Sequence, residues 1–495
     1  MAPGGGGGGG RRGRRRRRHR EASTGPDVPC ARSGRMERCP TQHRRREDTV
    51  ARPAQRIPED RDLSIDFARA LCLPVVVLLH ALQMGIGGDP LRAFNALAGF
   101  EPLAWATWPL MIMPVFFICG GFASITQWRR LRGHGETVAH YVRIRFIRLA
   151  QPVVLVVLAV GAVLAGMLAA GVDPEFARTF AFRLAEPLWF IPVYAICTAL
   201  VPAMSWLHRH APWATYLGLA GGVVVVDAFT RGLGVPLGAL NWLFVWLFAQ
   251  QLGFGLRDGW FARRARLALV GMAVGAYGVI AVLVTWFEYS HDMLDNLNPP
   301  TLAILALSLG QVALFSLAQP AIRRFATRRA VLGTVFVFGV YGMTIYLWHT
   351  FAMAVVTAGE LALGLPFPPV LSPSWWATRP LWIVAIAVVV AGCCLVVPRL
   401  EALWPKARER RTPLAAVVVW GLATIVGVGV ILTQGYLPWQ HGVLGWALVA
   451  VGVVGLIVGG PGKREPDVPA AGRAGAGAVS AATTAVQTSG EPRGI

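Results

Sequence analysis

The chain has 495 residues, of which 55% are hydrophobic and only 15% are charged, and its mean hydropathy is +0.51. These values exclude an ordinary soluble globular protein and predict a polytopic membrane protein. The formal net charge of +21 does not indicate nucleic acid as a partner, because the arginines lie in an N-terminal tail and in short segments between apolar spans.

Residues 1–60 form a predicted disordered tail that is rich in arginine and glycine. The tail begins with seven consecutive glycines, Gly4 to Gly10, and holds sixteen arginines against seven acidic residues. Such low-complexity sequence cannot bury an apolar core. Two interpretations remain open: an extension from a wrongly assigned start codon, with Met36 as the alternative start, or a basic arm that contacts anionic lipid headgroups.

Twelve apolar stretches follow, each near the roughly 20 residues that a helix needs to cross a bilayer. The predicted fold class is all-α, a polytopic transmembrane helix bundle of about 12 spans, and residues 461–495 are a predicted disordered C-terminal tail. The predicted spans lie near 64–85, 104–126, 148–170, 187–207, 213–229, 238–256, 267–287, 301–319, 333–357, 381–398, 414–433 and 441–460.

The first predicted span carries ionisable residues that are rare inside a membrane. Asp66 and Arg69 lie near its start and His80 lies deep within it. A charged residue at mid-bilayer costs roughly 2.5–3.5 kcal/mol, so such groups usually persist for function. The eleven residues from Arg69 to His80 turn about 20° past three full turns, which places both on one face, about 16 Å apart. Asp66, one turn earlier, joins this face; a lone intramembrane histidine can also serve only helix packing.

Basic residues are unevenly divided between the loops on the two sides of the predicted bundle. If the N-terminus is cytoplasmic, the inner loops hold twenty arginines and lysines, whereas the outer loops hold five: Arg92, Arg178, Arg183, Arg231 and Arg379. The positive-inside rule therefore predicts a multi-pass protein of the cell membrane with both termini in the cytoplasm.

Two motifs follow the second predicted span. Gly120 and Gly121 are small enough to allow close approach or unwinding of helices. Arg143, Arg145 and Arg148 then lie on the cytoplasmic side in this topology. Arginine clusters bind phosphates through planar, bidentate hydrogen bonds. They also act simply as topology determinants, and the sequence leaves both interpretations open.

His349 lies in the ninth predicted span at a depth similar to that of His80. Two imidazoles at one depth are able to shape a shared polar cavity, and a packing role for His349 is the alternative. The outer segments 288–300 and 358–380 are acidic or aromatic. This composition suits sugar binding, although tryptophan at a membrane interface also serves as an anchor. The seven cysteines show no C-x-x-C spacing, so neither a disulfide framework nor a zinc site is predicted.

In this order, the motifs resemble the acyltransferase-3 family of integral membrane acyltransferases. The resemblance covers about residues 61–400 and implies a core of about ten spans, to which residues 401–460 add two transmembrane helices. The matching pieces are Ile65-Asp66-Phe67-Ala68-Arg69 with His80 eleven positions after Arg69, Phe116 to Phe122, the run of Arg143, Arg145 and Arg148, Leu188-Trp189-Phe190, and Ile345 to His349.

The resemblance implies an O-acyltransferase that moves an acyl group, expected to be acetyl, from cytoplasmic acyl-CoA to a hydroxyl of an extracytoplasmic glycan or glycosylated small molecule. The bilayer, the acyl-CoA donor substrate and this acceptor are the expected partners, with no metal and no prosthetic group. The expected catalytic residues are His80 as general base or acyl carrier, Arg69 and Asp66. The expected donor-binding residues are Arg143, Arg145 and Arg148, and the expected substrate-binding residues are Trp189, Tyr346 and His349.

The chain departs from the family pattern at two places. Many members have Ser-Gly-Phe where this chain has Gly120-Gly121-Phe122, and many have a glutamate soon after the tryptophan that corresponds to Trp189. Here the run from Trp189 to Tyr194 holds no acidic residue. The acidic group near the acceptor is therefore expected to be absent or moved.

A transporter or flippase is the main alternative, because twelve spans with both termini inside also describe many carriers. Carriers usually show internal repeats, and no six-plus-six repeat is visible in this sequence. A non-catalytic membrane scaffold leaves Arg69 and His80 unexplained. The identity of the acyl chain, the identity of the acceptor and the choice between O- and N-acylation are open at the level of sequence.

Overall fold

The computed structural model describes residues 62–404, 412–437 and 442–459. The predicted tails 1–60 and 461–495 lie outside the described residues. Among the described residues, eleven helical stretches are long and apolar enough to cross a membrane. A shorter apolar helix of 17 residues, Gly442–Val458, follows them. The predicted all-α polytopic bundle is therefore confirmed.

Fifteen α-helices and one two-stranded β-hairpin make up the regular structure of this part of the chain. Their bounds are α1 Leu63–Gln83, β1 Met84–Gly87, β2 Arg92–Asn95, α2 Glu101–Leu110, α3 Met113–Gly133, α4 Val138–Ala169, α5 Pro174–Ala185, α6 Phe190–Ala199, α7 Val201–His210, α8 Pro212–Asp227, α9 Asn241–Arg257, α10 Arg266–Trp286, α11 Leu302–Ala326, α12 Arg329–Ala362, α13 Pro373–Ala402, α14 Leu414–Gln434 and α15 Gly442–Val458.

The fourth membrane-crossing stretch begins earlier than its sequence pattern predicts. It runs over Pro174–Ala199 and joins α5, a short 3-10 turn at Glu186–Trp189 and α6. The sequence prediction began at residue 187 because the charged residues of α5 lower its hydropathy. Arg178 and Arg183, which were expected in an outer loop, therefore lie inside this stretch, and Arg379 likewise lies within α13.

A β-hairpin follows α1 directly and fixes the end of that helix against α5. β1 and β2 are antiparallel, with Met84 opposite Asn95 and Gly87 opposite Arg92. The backbone N–H of Ala93 donates to Thr179 Oγ1 on α5 over 3.1 Å. The hairpin thus brings the last turn of α1, which carries His80, next to α5. We call this end of the bundle the hairpin end.

The opposite end of α1 is held against α11. Asp62 caps the helix, because its Oδ1 accepts a hydrogen bond from the backbone N–H of Ser64 over 2.9 Å. The same carboxylate accepts from Arg323 of α11, and Gln319 donates to Ser64 Oγ over 3.1 Å. With both ends fixed, α1 presents Arg69 and His80 from a defined position.

Glycines allow α3 and α9 to contact each other backbone to backbone. A Cβ at Gly121 would lie 2.3 Å from Gln250 O, and a Cβ at Gly253 would lie 2.1 Å from Ile118 O. Neither distance is possible for a side chain, so only glycine fits at either position. The two glycines of the Gly120-Gly121-Phe122 motif therefore serve close approach within an intact helix, α3.

Candidate active site

His80 on α1 and His349 on α12 are in direct contact. His80 Nδ1 lies 3.0 Å from His349 Nε2, and the two ring planes are within 6° of each other. His349 is 0% exposed, whereas His80 is only partly buried. The two histidines that the sequence placed at similar depth thus form one unit, in which His349 holds the more accessible ring of His80. We call this unit the histidine pair.

A backbone carbonyl group fixes the tautomers of the histidine pair. The carbonyl oxygen of Tyr346 lies 2.5 Å from His349 Nδ1, and because a carbonyl only accepts, this nitrogen carries a proton. Neutral His349 therefore has an unprotonated Nε2, which accepts a hydrogen bond from Nδ1–H of His80. The lone pair of His80 is left on Nε2, which has no hydrogen-bond partner among the described residues.

Three arginines gather nearer the other end of α1. Arg69 and Arg148 are exposed, and the charges of Arg69 and Arg145 both act on Arg148. Arg145 donates to Ser124 Oγ over 3.3 Å, while its buried Nε has no partner within the described part of the chain. Arg69, Arg145 and Arg148, which we call the arginine cluster, form a concentration of positive charge that favours an anionic ligand. Asp66 is half-buried one turn before Arg69.

Arg143 is directed to a different part of the molecule. Its Nε donates to Leu456 O over 2.8 Å, and one terminal nitrogen donates to Ile457 O over 3.0 Å. These carbonyls belong to the last turn of α15, where helix geometry leaves them without intrahelical partners. Three arginines were expected to bind the donor. Arg145 and Arg148 lie near Arg69, whereas Arg143 binds the end of α15.

Tyr346 and Trp189 make contacts within the protein near the histidine pair. The hydroxyl group of Tyr346 donates to Pro187 O over 2.5 Å. The ring of Trp189 lies 4.7 Å from that of Trp242 and 6.0 Å from that of Trp246, measured between centroids. These contacts fix the turn Glu186–Trp189 against α12 and α9, next to the histidine pair.

Arg183 and Glu186 were not expected at the site, yet they lie beside it. Arg183 forms an ion pair with Glu186, and its charge acts on His80. Only their spacing of three residues in the sequence indicated such a pair, and the same spacing occurs in the exposed pair Glu175 and Arg178. Proximity to His80, which lies about a hundred positions earlier, has no local signal in the sequence.

The family of the chain is shown by comparison with models of protein families. Residues 62–397 match a family model, Acyl_transf_3, described as an acyltransferase domain. The chain belongs to the acyltransferase-3 family. Family members are acyltransferases that act on hydroxyl groups, so the protein is a membrane O-acyltransferase, and the predicted family is confirmed. No curated protein and no solved structure matches the chain.

Proposed function

We propose that this protein transfers an acyl group, most simply acetyl, from cytoplasmic acyl-CoA to a hydroxyl of a glycan or glycosylated small molecule on the other side of the membrane. The observation that carries the proposal is the tautomer of His80. Because His349 and Tyr346 O hold the proton of His80 on Nδ1, the lone pair on Nε2 is free to act as a base. A positioned imidazole is the commonest general base in enzymes and contributes about 10²- to 10⁴-fold in rate.

The arginine cluster supports acyl-CoA as the donor. Its three guanidinium groups suit the phosphates of coenzyme A, because arginine binds phosphate through planar, bidentate hydrogen bonds. Arg69 and His80 are about 16 Å apart along α1, a length that the extended pantetheine arm can cover. The positive-inside rule predicts that the cluster lies on the cytoplasmic side, where acyl-CoA is made.

The chemical step uses one nitrogen of His80. Nε2 takes the proton of the acceptor hydroxyl while that oxygen bonds to the thioester carbonyl carbon. The carbon–sulfur bond then breaks, and the departing thiolate takes the proton from Nε2 to give free coenzyme A. His349 keeps His80 in the reactive tautomer and stabilises the imidazolium, as a third group does in a catalytic triad. The alternative role of His80, as a transient acyl carrier, uses the same nitrogen.

The proposal is tested by assaying the purified protein in lipid nanodiscs for release of free thiol from acetyl-CoA. We expect His80→Ala to lower this activity by about 10²-fold or more. His134→Ala is the control, because His134 is exposed and its ring makes a hydrogen bond with the carbonyl of Arg130 at the end of α3. Full activity in a folded His80→Ala protein, or no thiol release by the wild type, would contradict the proposal.

A further inference from the structure

Two charged side chains near the histidine pair have no part in the reaction described above. Arg183 lies on α5 and Glu186 lies in the 3-10 turn that follows, so both are near the middle of the membrane-crossing stretch Pro174–Ala199, whereas the exposed pair Glu175 and Arg178 lies at its start. Ionisable residues in such a stretch are costly, usually pair with one another and commonly mark a site for substrate or protons. This ion pair therefore needs a functional explanation.

Contacts to α12 place the Arg183–Glu186 pair at the histidine pair. Tyr346 donates its hydroxyl proton to Pro187 O, next to Glu186, and the carbonyl of the same Tyr346 binds His349. One residue of α12 thus connects the Glu186–Trp189 turn with the histidines. The charge of Arg183 acts on His80, in agreement with this placement.

The ion pair leaves hydrogen-bonding capacity unused. Its contact joins one terminal nitrogen of Arg183 to Oε1 of Glu186. The Nε of Arg183 is buried and has no partner among the residues that the structure describes. The Arg183 side chain is 14% exposed and that of Glu186 is 38% exposed, so part of the pair lies at the surface of the helix bundle. A donor and an acceptor therefore lie side by side near a free base.

We propose that Arg183 and Glu186 recognise the acceptor by binding the hydroxyl group next to the one that is acylated. The guanidinium group donates to the oxygen of this neighbouring hydroxyl, and the carboxylate accepts its proton in a hydrogen bond. The reacting hydroxyl then lies at His80 Nε2. The acceptor class is a polyol with vicinal hydroxyls, such as a pyranose ring. This inference rests on the proposed acyl transfer and adds to it the residues that select the acceptor.

The chain provides a matched control on the same helix. Glu175 and Arg178 form another glutamate–arginine pair three residues apart, with an O–N distance of 2.7 Å. The side chain of Arg178 is 66% exposed. An exposed pair of this kind contributes little to stability, so its removal tests the loss of an ion pair from α5 without changing the site.

The test compares acetyl transfer from acetyl-CoA to two soluble probes by the purified enzyme in nanodiscs. Methyl α-glucopyranoside carries vicinal hydroxyls, and cyclohexanol carries one hydroxyl on a ring of similar size. We expect the wild type to prefer the glucoside by about tenfold or more in kcat/KM, because cyclohexanol leaves the two polar groups unpaired. Arg183→Gln and Glu186→Gln should abolish this preference and raise the KM for the glucoside, whereas Arg178→Gln and Glu175→Gln should keep the wild-type ratio.

One further variant and the thiol-release assay distinguish a failure of this inference from a failure of the proposed acyl transfer. Glu186→Asp keeps a carboxylate and should retain part of the preference even if Glu186→Gln does not fold. A wild type with no preference, or site variants that keep it, would overturn this inference while the release of thiol by His80 still supports acyl transfer. If wild type and His80→Ala release thiol equally from acetyl-CoA, the proposed function itself is wrong.

Discussion

At the scale of single residues, the tautomer of His80 is determined by groups on another helix, α12. His349 is buried and its Nδ1 is held by the carbonyl of Tyr346, so the proton between the two rings belongs to His80. In the proposed mechanism, the reactive nitrogen is therefore selected by a backbone group that substitution of Tyr346 would not remove. This makes His349 a positioning residue, whose effect should appear in turnover and not in the binding of acyl-CoA.

We predict that His349→Phe lowers kcat for thiol release by about 10²-fold or more, because the tautomer of His80 is no longer fixed. His349→Gln should keep more activity than His349→Phe. A glutamine amide oxygen can accept from His80 Nδ1–H while its NH2 group donates to the carbonyl of Tyr346. The KM for acetyl-CoA should stay near the wild-type value in both proteins. Equal activities of the phenylalanine and glutamine variants would contradict the positioning role.

We predict that Arg69→Ala chiefly raises the KM for acyl-CoA, because one of three clustered guanidinium groups is lost. Arg69→Lys should restore binding only in part, since lysine keeps the charge but lacks the planar pair of donors. Arg130→Ala serves as the control, because Arg130 is an exposed arginine of α3 outside the arginine cluster. Unchanged affinity and turnover in Arg69→Ala would exclude a donor-binding role.

For helices, the α3–α9 contact sets the framework around the site. Gly121 and Gly253 permit a backbone approach that any side chain would block. The neighbouring Gly120 leaves room for Tyr194, whose ring would lie 3.0 Å from a Cβ at that position. The small residues of α3 thus allow close packing of this helix against both α9 and α6.

We predict that Gly121→Ala destabilises the protein by about 1–3 kcal/mol or more, because the added methyl group overlaps Gln250 O and forces α3 and α9 apart. The midpoint of thermal unfolding in detergent measures this effect. Gly271→Ala on α10 is the control, since a Cβ there meets no atom within 4 Å. The control should be neutral or stabilising. A midpoint for Gly121→Ala equal to that of the control would refute the packing explanation.

The fold was largely predictable from sequence, whereas the site was predictable only in part. Apolar stretches of membrane length indicated the bundle, and helical periodicity placed Arg69 and His80 on one face of α1. The hydrogen bond between His80 and His349 joins residues 269 positions apart, and no local pattern encodes such a contact. The start of α5 was missed because hydropathy counts Arg183 as a charge, although in the fold it is paired with Glu186.

For the whole molecule, orientation in the membrane decides which substrates reach the two ends of the site. The arginine bias predicts that the arginine cluster faces the cytoplasm and that the hairpin end faces outward. The reaction then needs no movement of coenzyme A across the bilayer. Only the acyl group would pass from the inner to the outer side, over the distance between Arg69 and His80.

We predict that a single cysteine at Asp295, in a protein without its native cysteines, reacts with an impermeant thiol reagent added to intact cells. A cysteine at His134 should not react. Both positions are exposed in the structure, so accessibility of the side chain does not distinguish them. Labelling at position 134 from outside would reverse the topology and place the arginine cluster in a compartment without acyl-CoA.

The hydrogen bonds between Arg143 and α15 can form only late in the synthesis of the protein. Arg143 lies inside the family-matched region, but Leu456 and Ile457 lie beyond its last residue. The ribosome therefore synthesises α4 some three hundred residues earlier than the two carbonyl groups that accept from Arg143. A chain that ended before α15 would therefore lack these two hydrogen bonds to α4, although it would retain the whole family-matched region.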